Sequence, residues 1–265
     1  MVHIIVKTAT APLRSAHSES SEMVSQLLLG ETAEVLEKKE RWLRVRCSHD
    51  AYEGWLSITQ IHELTEHERT EWEANGLRSR SSSRLFKAVN SRGDVLPVPF
   101  GSVVHEKEPG MLKFPFGEFI ATEQRAPEKR SFLDMARFFI GTPYLWGGRS
   151  ELGIDCSGFV QILFLVMGKQ IPRDASQQIK VKQCHSTKLE DAEPGDLIYF
   201  SFDGKNVVHV GIYIGDGLLI HASGDVHIDN LDASKRKTSP FAFNERLSKH
   251  ICGVQRFGAL QITND

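Results

Sequence analysis

Hydrophobic positions in residues 1–64 come in short runs broken by polar turns. VHIIVK (2–7), AEVLEKKERWLRVRC (33–47) and EGWLSITQIHEL (53–64) predict strands of a small all-β unit. Residues 79–122 repeat the theme more loosely. RLFKAV (84–89), DVLPVPFGSVVHEK (94–107) and FGEFIATE (116–123) predict further strands, with Pro97 and Pro99 forcing an edge or a bend. A degenerate second copy of the same small barrel is expected there. The polar stretch TEHERTEWEANGLRS (65–79) reads as a linker or a helix and turn.

The texture changes from Pro127 onward. Phe132, Met135, Ala136 and Phe139 recur at helical intervals, with Ser131 and Asp134 suited to the start and Gly141 to the stop, so a helix is predicted over residues 131–141. A glycine-rich loop leads to a second helix from Cys156. Phe159, Val160, Ile162, Leu163, Leu165 and Val166 make that helix apolar nearly all round, which predicts burial along its length. PRDASQQIKVKQC (172–184) is polar, and DLIYFS, VVHVGIYI and LLIHAS follow as strands. Helices followed by an antiparallel sheet give an α+β class for the C-terminal half. The expected boundaries are 1–66 and 67–126 for the two small β regions, the second with its linker, and 127–265 for the α+β domain.

Composition narrows the function classes. Of 265 residues, 32 are Lys or Arg and 34 Asp or Glu, for a net charge of −2, and the longest basic cluster is KRK at 235–237, so a generic nucleic-acid grip is excluded. No apolar run reaches the length of a membrane span. The apolar stretch VHIIV at the start is too short for a secretory leader, so a cytoplasmic location is expected. Cys47, Cys156, Cys184 and Cys252 lie far apart with no C-x-x-C, which argues against zinc ribbons and favours reduced thiols.

One of those thiols stands where a loop becomes a helix. In I-D-C-S-G, Asp155 can cap the helix and Cys156 meets its unpaired N–H groups, which are expected to lower the thiol pKa. VVHVGIYIGDGLLIHAS reads as a hairpin around the turn GDG. Alternation puts His209, Gly211 and Tyr213 on one face, and pairing brings His221 close to His209, although a slip of one residue would separate their faces. Taken alone, a buried cysteine and a histidine with a backbone partner are ordinary core residues. Together they form a nucleophile and base constellation.

PYLWGGRSELGIDCSGFVQ, PRDASQQ, PGDLIYF and HVGIYIGDGLLIHAS, in that order, resemble the NlpC-type papain-like cysteine peptidases that cut bacterial cell-wall peptides. The pattern KKERWLRVRC…YEGWLS near the N-terminus resembles a bacterial SH3-like domain. With both, the chain resembles the γ-D-glutamyl-L-diamino-acid endopeptidases of murein peptide recycling. The resemblance implies Cys156 as nucleophile, His209 as general base and His221 as the group that orients it. It implies Tyr144, together with the Cys156 N–H, as the oxyanion donor. A neutral histidine can orient its partner only through an unprotonated nitrogen, so a loss of rate is expected at mildly acid pH as His221 gains a proton. Asp174 and Ala175 would meet a free N-terminal L-alanine, Asp155 and Ser157 would flank the substrate, and Tyr52 and Glu53 would narrow the cleft from the SH3-like domain. Arg173 would meet a substrate carboxylate. No metal or organic cofactor is implied, and the expected partner is a murein peptide met by a monomer. Trp42 and Trp55 are expected in the barrel core, and Cys47, Cys184 and Cys252 as structural thiols. An exported hydrolase, an acyltransferase and an inactive wall-binding module are the competing readings.

Overall fold

In Trp42–Cys47 every second residue from Leu43 is buried while Arg44 and Arg46 face solvent, which marks a strand with one face on a core. The computed structural model, which describes residues 1–74, 78–123, 130–182 and 184–258, builds such strands into two compact units. The first comprises Met1–Glu128 with Trp146–Leu152, and the second Lys129–Leu145 with Gly153–Asp265.

In the first unit, β1 (His3–Val6), β2 (Thr10–Arg14), β3 (Met23–Leu28), β4 (Thr32–Lys39), β5 (Trp42–Cys47), β6 (Glu53–Ser57) and β7 (Ile61–Leu64) form one sheet in the order β3-β2-β6-β5-β4-β1-β7. Its core holds Ile4, Val6, Leu13, Leu27, Val45 and Leu56. β2 and β3 lie in stretches too polar and interrupted to read as strands. Trp42 is buried as expected, but Trp55 is not core: Leu56 points inward, so its neighbour Trp55 points outward and is only half-buried, 5.2 Å from the His17 ring.

The polar stretch after β7 is a helix, α1 (Glu66–Glu73). A reciprocal capping box between Thr65 and Glu68 starts it, and Trp72 anchors it to the next core. The remainder of that stretch, residues 75–77, lies outside the described residues. β8 (Arg78–Arg80), β9 (Phe86–Val89), β10 (Val95–Val98), β11 (Val103–Glu108), β12 (Met111–Phe114) and β13 (Gly117–Ala121) form a second sheet, ordered β10-β9-β13-β12-β11-β8. Pro97 sits in the edge strand β10, where a missing N–H is harmless. Ile5 of β1 and Leu29 in the turn after β3 share the second core, and Gly30 at φ +77° lets the backbone of Val103 come so close that any Cβ would collide with it.

The Trp146–Leu152 segment, expected with the C-terminal domain, clusters with the first unit for an electrostatic reason. Arg149, in the short strand β14 (Arg149–Ser150), is fully buried and forks onto Glu31 at 2.8 and 3.2 Å, while its Nη1 also donates to Gln26 O at 2.6 Å. Arg80 adds a third contact to Glu31 at 2.7 Å. Burial opposes ionisation of Glu31, but the charges of Arg149, His49 and Arg80 outweigh it and hold the carboxyl well below its usual range.

In the second unit, α2 (Phe132–Arg137) begins at Ser131, whose side chain accepts from the Asp134 N–H. It ends earlier than the spacing predicts, and turns carry the chain to Gly141 at φ +83°. β15 (Gly153–Ile154) leads into α3 (Cys156–Val166), whose residues are buried through Leu165 and which packs on the sheet. α4 (Ala175–Gln178) and α5 (Glu245–Ser248) are single turns. The sheet comprises β16 (Cys184–Thr187), β17 (Leu197–Phe200), β18 (His209–Gly215), β19 (Leu218–Ser223), β20 (Asp225–Asn230) and β21 (Ile251–Phe257), ordered β16-β21-β17-β18-β19-β20. The hairpin turn at 215–217 has positive φ at all three residues, Asp216 included. Among the described residues no helix is long and apolar enough to cross a membrane.

Removing one partner of a buried ion pair leaves an uncompensated charge, which costs about 3–5 kcal/mol. Glu31→Gln is therefore expected to destabilise the first unit by about that amount, read from denaturant unfolding followed by tryptophan fluorescence. A change no larger than that of an exposed control such as Glu19→Gln would count against the buried pair as its anchor.

Candidate active site

The start of α3 is held by carboxylate chemistry. Asp155 Oδ1 accepts from the Gly158 N–H at 2.7 Å, capping the helix. Arg173, itself buried, grips the same carboxylate with Nη1 at 3.0 Å and Nη2 at 2.6 Å, and its Nη1 also donates to Ser157 Oγ at 2.8 Å. Gln178 Nε2 donates to Ser157 O at 3.0 Å and to Pro172 O at 2.9 Å, so residues 172–178 are latched onto the helix start. The expectation that Arg173 waits for a substrate carboxylate is thereby corrected: its bidentate partner is Asp155. The side chains of Asp155 and Ser157 are likewise engaged inside the protein. Asp174 is half-buried at the start of α4 without a side-chain cap bond, and Ala175 is buried beside it.

Cys156 is 7% exposed, and burial, reinforced by the charge of Asp155, pushes its thiol up to about 12. Backbone N–H groups of Val210 and Ser157 and the charge of Arg173 pull the other way without prevailing. The lowered thiol pKa expected from the helix terminus is not what the site produces, because desolvation wins. The Val210 N–H contact puts the sulfur at the end of β18 that carries His209. Burial, with His221 beside it, pushes His209 down to about 3. The resting pair is a neutral thiol and a neutral imidazole.

β18 and β19 pair with Ile212 opposite Ile220 and Tyr213 opposite Leu219, and that register carries Gly211 opposite His221. A Cβ on Gly211 would meet the Cβ of His221 at 2.9 Å. With only hydrogen there, the His221 ring reaches diagonally to His209, and His209 Nε2 lies 2.9 Å from His221 Nδ1. The two faces coincide, and the nitrogen that His209 offers its partner is Nε2.

The sequence reading missed the next link. His221 Nε2 lies 3.2 Å from Asp229 Oδ2 on β20, and Asn244 Nδ2 donates to the same oxygen at 2.6 Å. Asn244 Oδ1 accepts the Leu247 N–H as the cap of α5, which fixes the amide so that its NH₂ faces Asp229. Burial raises the Asp229 pKa, but the hydrogen bonds from His221 and Asn244 outweigh it and hold the carboxyl below its usual range. An ionised carboxylate only accepts, so His221 carries its proton on Nε2 and offers a lone pair at Nδ1. His209 therefore carries its proton on Nε2 and keeps the Nδ1 lone pair free for a proton from elsewhere. The signal was in D-V-H-I-D-N (225–230), whose alternation reads as a strand with His227 and Asp229 on one face.

Tyr144 is half-buried, its N–H donating to Gly224 O at 2.8 Å. Burial and then the negative charge accessible to Cys156 and Asp155 raise its phenol pKa, so it stays a hydroxyl donor. Tyr52 and Glu53 belong to the first unit. Tyr52 packs on the first sheet's core, and Glu53 is bonded by Arg44 at 2.9 Å and by Arg46 at 3.0 and 2.9 Å. Cys47 is buried in that core, and Cys47, Cys184 and Cys252 are free thiols.

Residues 141–243 match the NlpC/P60 family and residues 13–61 match the bacterial dipeptidyl-peptidase SH3 domain. The chain is 31% identical over 216 residues to the gamma-D-glutamyl-L-lysine dipeptidyl-peptidase of Bacillus subtilis (strain 168), covering 75% of this chain and 71% of the relative. It is 26% identical over 230 residues to a Bacillus cereus protein of the same name, covering 77% of this chain and 68% of that one. The solved structure of an NlpC/P60 family protein from Bacillus cereus shares the fold, with a TM-score of 0.78 at 21% identity over 96% of this chain and 99% of that one. An α+β peptidase domain behind an SH3-like domain is the layout of a cell-wall peptidase. The chain belongs to the NlpC/P60 family.

Two outcomes follow from this geometry. An amide at position 229 can donate to His221 and invert its tautomer, so Asp229→Asn should lower kcat by about 10²–10⁴-fold with little change in KM, as wrong-tautomer variants of other triads do; a rise in KM at constant kcat would contradict it. His209, shifted from 6.5 to about 3, takes up a proton more readily when unfolded. Its contribution to stability is present above pH 6.5 and declines as pH falls toward 3. Chemical denaturation across that range should show the slope, and His209→Gln should flatten it.

Proposed function

We propose that the protein is a cysteine endopeptidase that hydrolyses the γ-D-glutamyl–diamino acid bond of murein peptides with a free N-terminal L-alanine, in peptidoglycan recycling. The observation that carries this reading is the hydrogen-bonded His209–His221 pair, 2.9 Å apart, with the Val210 N–H next along the strand from His209 meeting the sulfur of Cys156 at the start of α3. Membership of the NlpC/P60 family and the names of the two Bacillus relatives support the substrate class. The reading includes the cytoplasm, to which four free thiols are suited.

Because the resting pair is neutral, thiol deprotonation accompanies attack. Sγ of Cys156 bonds to the γ-carbonyl carbon of D-Glu as its proton passes to His209 Nδ1. The carbonyl oxygen becomes an oxyanion, met by the Cys156 N–H and the Tyr144 hydroxyl, and such a donor is typically worth about 2.7–4 kcal/mol of barrier. His209 returns the proton to the amine of the departing diamino acid, leaving a thioester. Water then adds to the thioester, giving a proton to His209, and collapse returns that proton to the sulfur and frees the carboxylate. Asp174 pairs with the substrate ammonium, which needs an anion if it is to leave water.

The test offers L-Ala-γ-D-Glu-meso-diaminopimelate, its L-lysine counterpart and the N-acetylated forms to the full chain and to Cys156→Ala. Free-amine tripeptides should yield L-Ala-D-Glu and the free diamino acid by mass spectrometry, the acetylated ones should resist, and Cys156→Ala should fall by about 10⁴-fold or more. Equal cleavage of blocked peptides would remove the recycling role and favour a hydrolase of intact wall. Products carrying an acyl group on an added amine in place of water would mark a transferase.

A further inference from the structure

The outer end of the histidine relay has a second chemistry. β19 and β20 pair with His221 directly opposite His227, and Asp229 lies two residues along β20 on the same face. His221 Nε2 is 3.2 Å and His227 Nε2 is 3.6 Å from Asp229 Oδ2, and the ligand atoms of all three residues lie within 4.8 Å of one another. Zinc bonds of about 2.0–2.1 Å at a tetrahedral angle separate neighbouring ligand atoms by roughly 3.3 Å. Asp225 Oδ1 lies 2.8 Å from His227 Nδ1, so a carboxylate holds the far nitrogen and leaves the Nε2 lone pair turned toward the cluster. That carboxylate–imidazole pairing is the usual outer support of a metal-binding histidine. The His227 side chain is 35% exposed, which gives an ion a way in and a solvent-facing fourth position.

We propose that His221, His227 and Asp229 form an inhibitory site for a first-row transition-metal dication, Zn²⁺ being the best match to two imidazoles and one carboxylate. The inhibitory sense follows from the relay and rests on the peptidase reading above. A metal takes the Nε2 lone pair of His221, so the proton of that ring moves to Nδ1. Nδ1–H then donates to His209 Nε2, whose own proton moves to His209 Nδ1. Each imidazole keeps one proton, but the nitrogen that should accept from the Cys156 thiol now carries one. The metal thus disarms the base without touching the sulfur.

The experiment titrates the full chain with ZnCl₂ by calorimetry, records the absorption of the Co²⁺ form, and assays tripeptide hydrolysis with and without chelator. One ion per chain should bind, Cys156→Ala should bind it within about threefold of the parent, and Co²⁺ should show d–d bands without a thiolate charge-transfer band. His227→Gln should keep the chelated activity while weakening both Zn²⁺ binding and inhibition by at least about tenfold. Loss of binding in Cys156→Ala, or a thiolate band in the parent, would overturn the proposal in favour of capture at the nucleophile. Absence of any Zn²⁺ binding would overturn it as well. Calorimetry and spectroscopy need no turnover, so they decide the metal site even if the tripeptides prove to be the wrong substrates.

Discussion

The chemistry of this protein turns on the direction of a chain of hydrogen bonds that ends on the ionised carboxylate of Asp229. Two imidazoles in series have no preferred polarity of their own, since each can carry its proton on either nitrogen. An acceptor at one end removes the ambiguity, and Asn244 keeps that acceptor ionised by donating to the same oxygen. The consequence at the far end is a histidine whose Nδ1 can take a thiol proton. The register of β18 against β19, and the missing side chain of Gly211, allow the two rings to meet at all.

The nucleophile is prepared by confinement rather than by a lowered thiol pKa. The carboxylate of Asp155 both caps α3 and binds Arg173, and its negative charge adds to burial in keeping Cys156 protonated. A thiol held neutral in a dry site next to a neutral base waits for the substrate, and the sulfur becomes reactive as its proton leaves. Arg173 acts here as an internal brace, its guanidinium spread over Asp155 and Ser157. In the first unit the same device recurs with Arg149 and Glu31, which draw a short loop into a β unit that lies distant in sequence.

Local patterns that depend on one strand or one helix were legible in the sequence. The cap at Asp155, the buried helix after it, the hairpin around GDG and the edge position of Pro97 each follow from spacing over a few residues. What stayed hidden needs long-range partners. β21 takes its place from β16 and β17, far back along the chain, and β2 meets the distant β6 at Arg14 and Trp55, while β3 is an outer strand paired with β2 alone, so the alternation of each is weak. Trp55 was misplaced because a large aromatic invites a core assignment, whereas strand parity with Leu56 turns it outward. Arg173 looked free for a ligand because its partner Asp155 stands 18 residues away, and the thiol pKa went astray because a helix terminus is visible in sequence while desolvation is not.

The most direct measurement is ¹⁵N NMR of the histidine side chains in the Cys156→Ala protein at neutral pH, since it reads the proton positions themselves. Protonated Nε2 and bare Nδ1 on both His209 and His221 is the result this account requires. A proton on Nδ1 of either ring in the metal-free protein would contradict it, because Asp229 would then not be setting the direction of the relay.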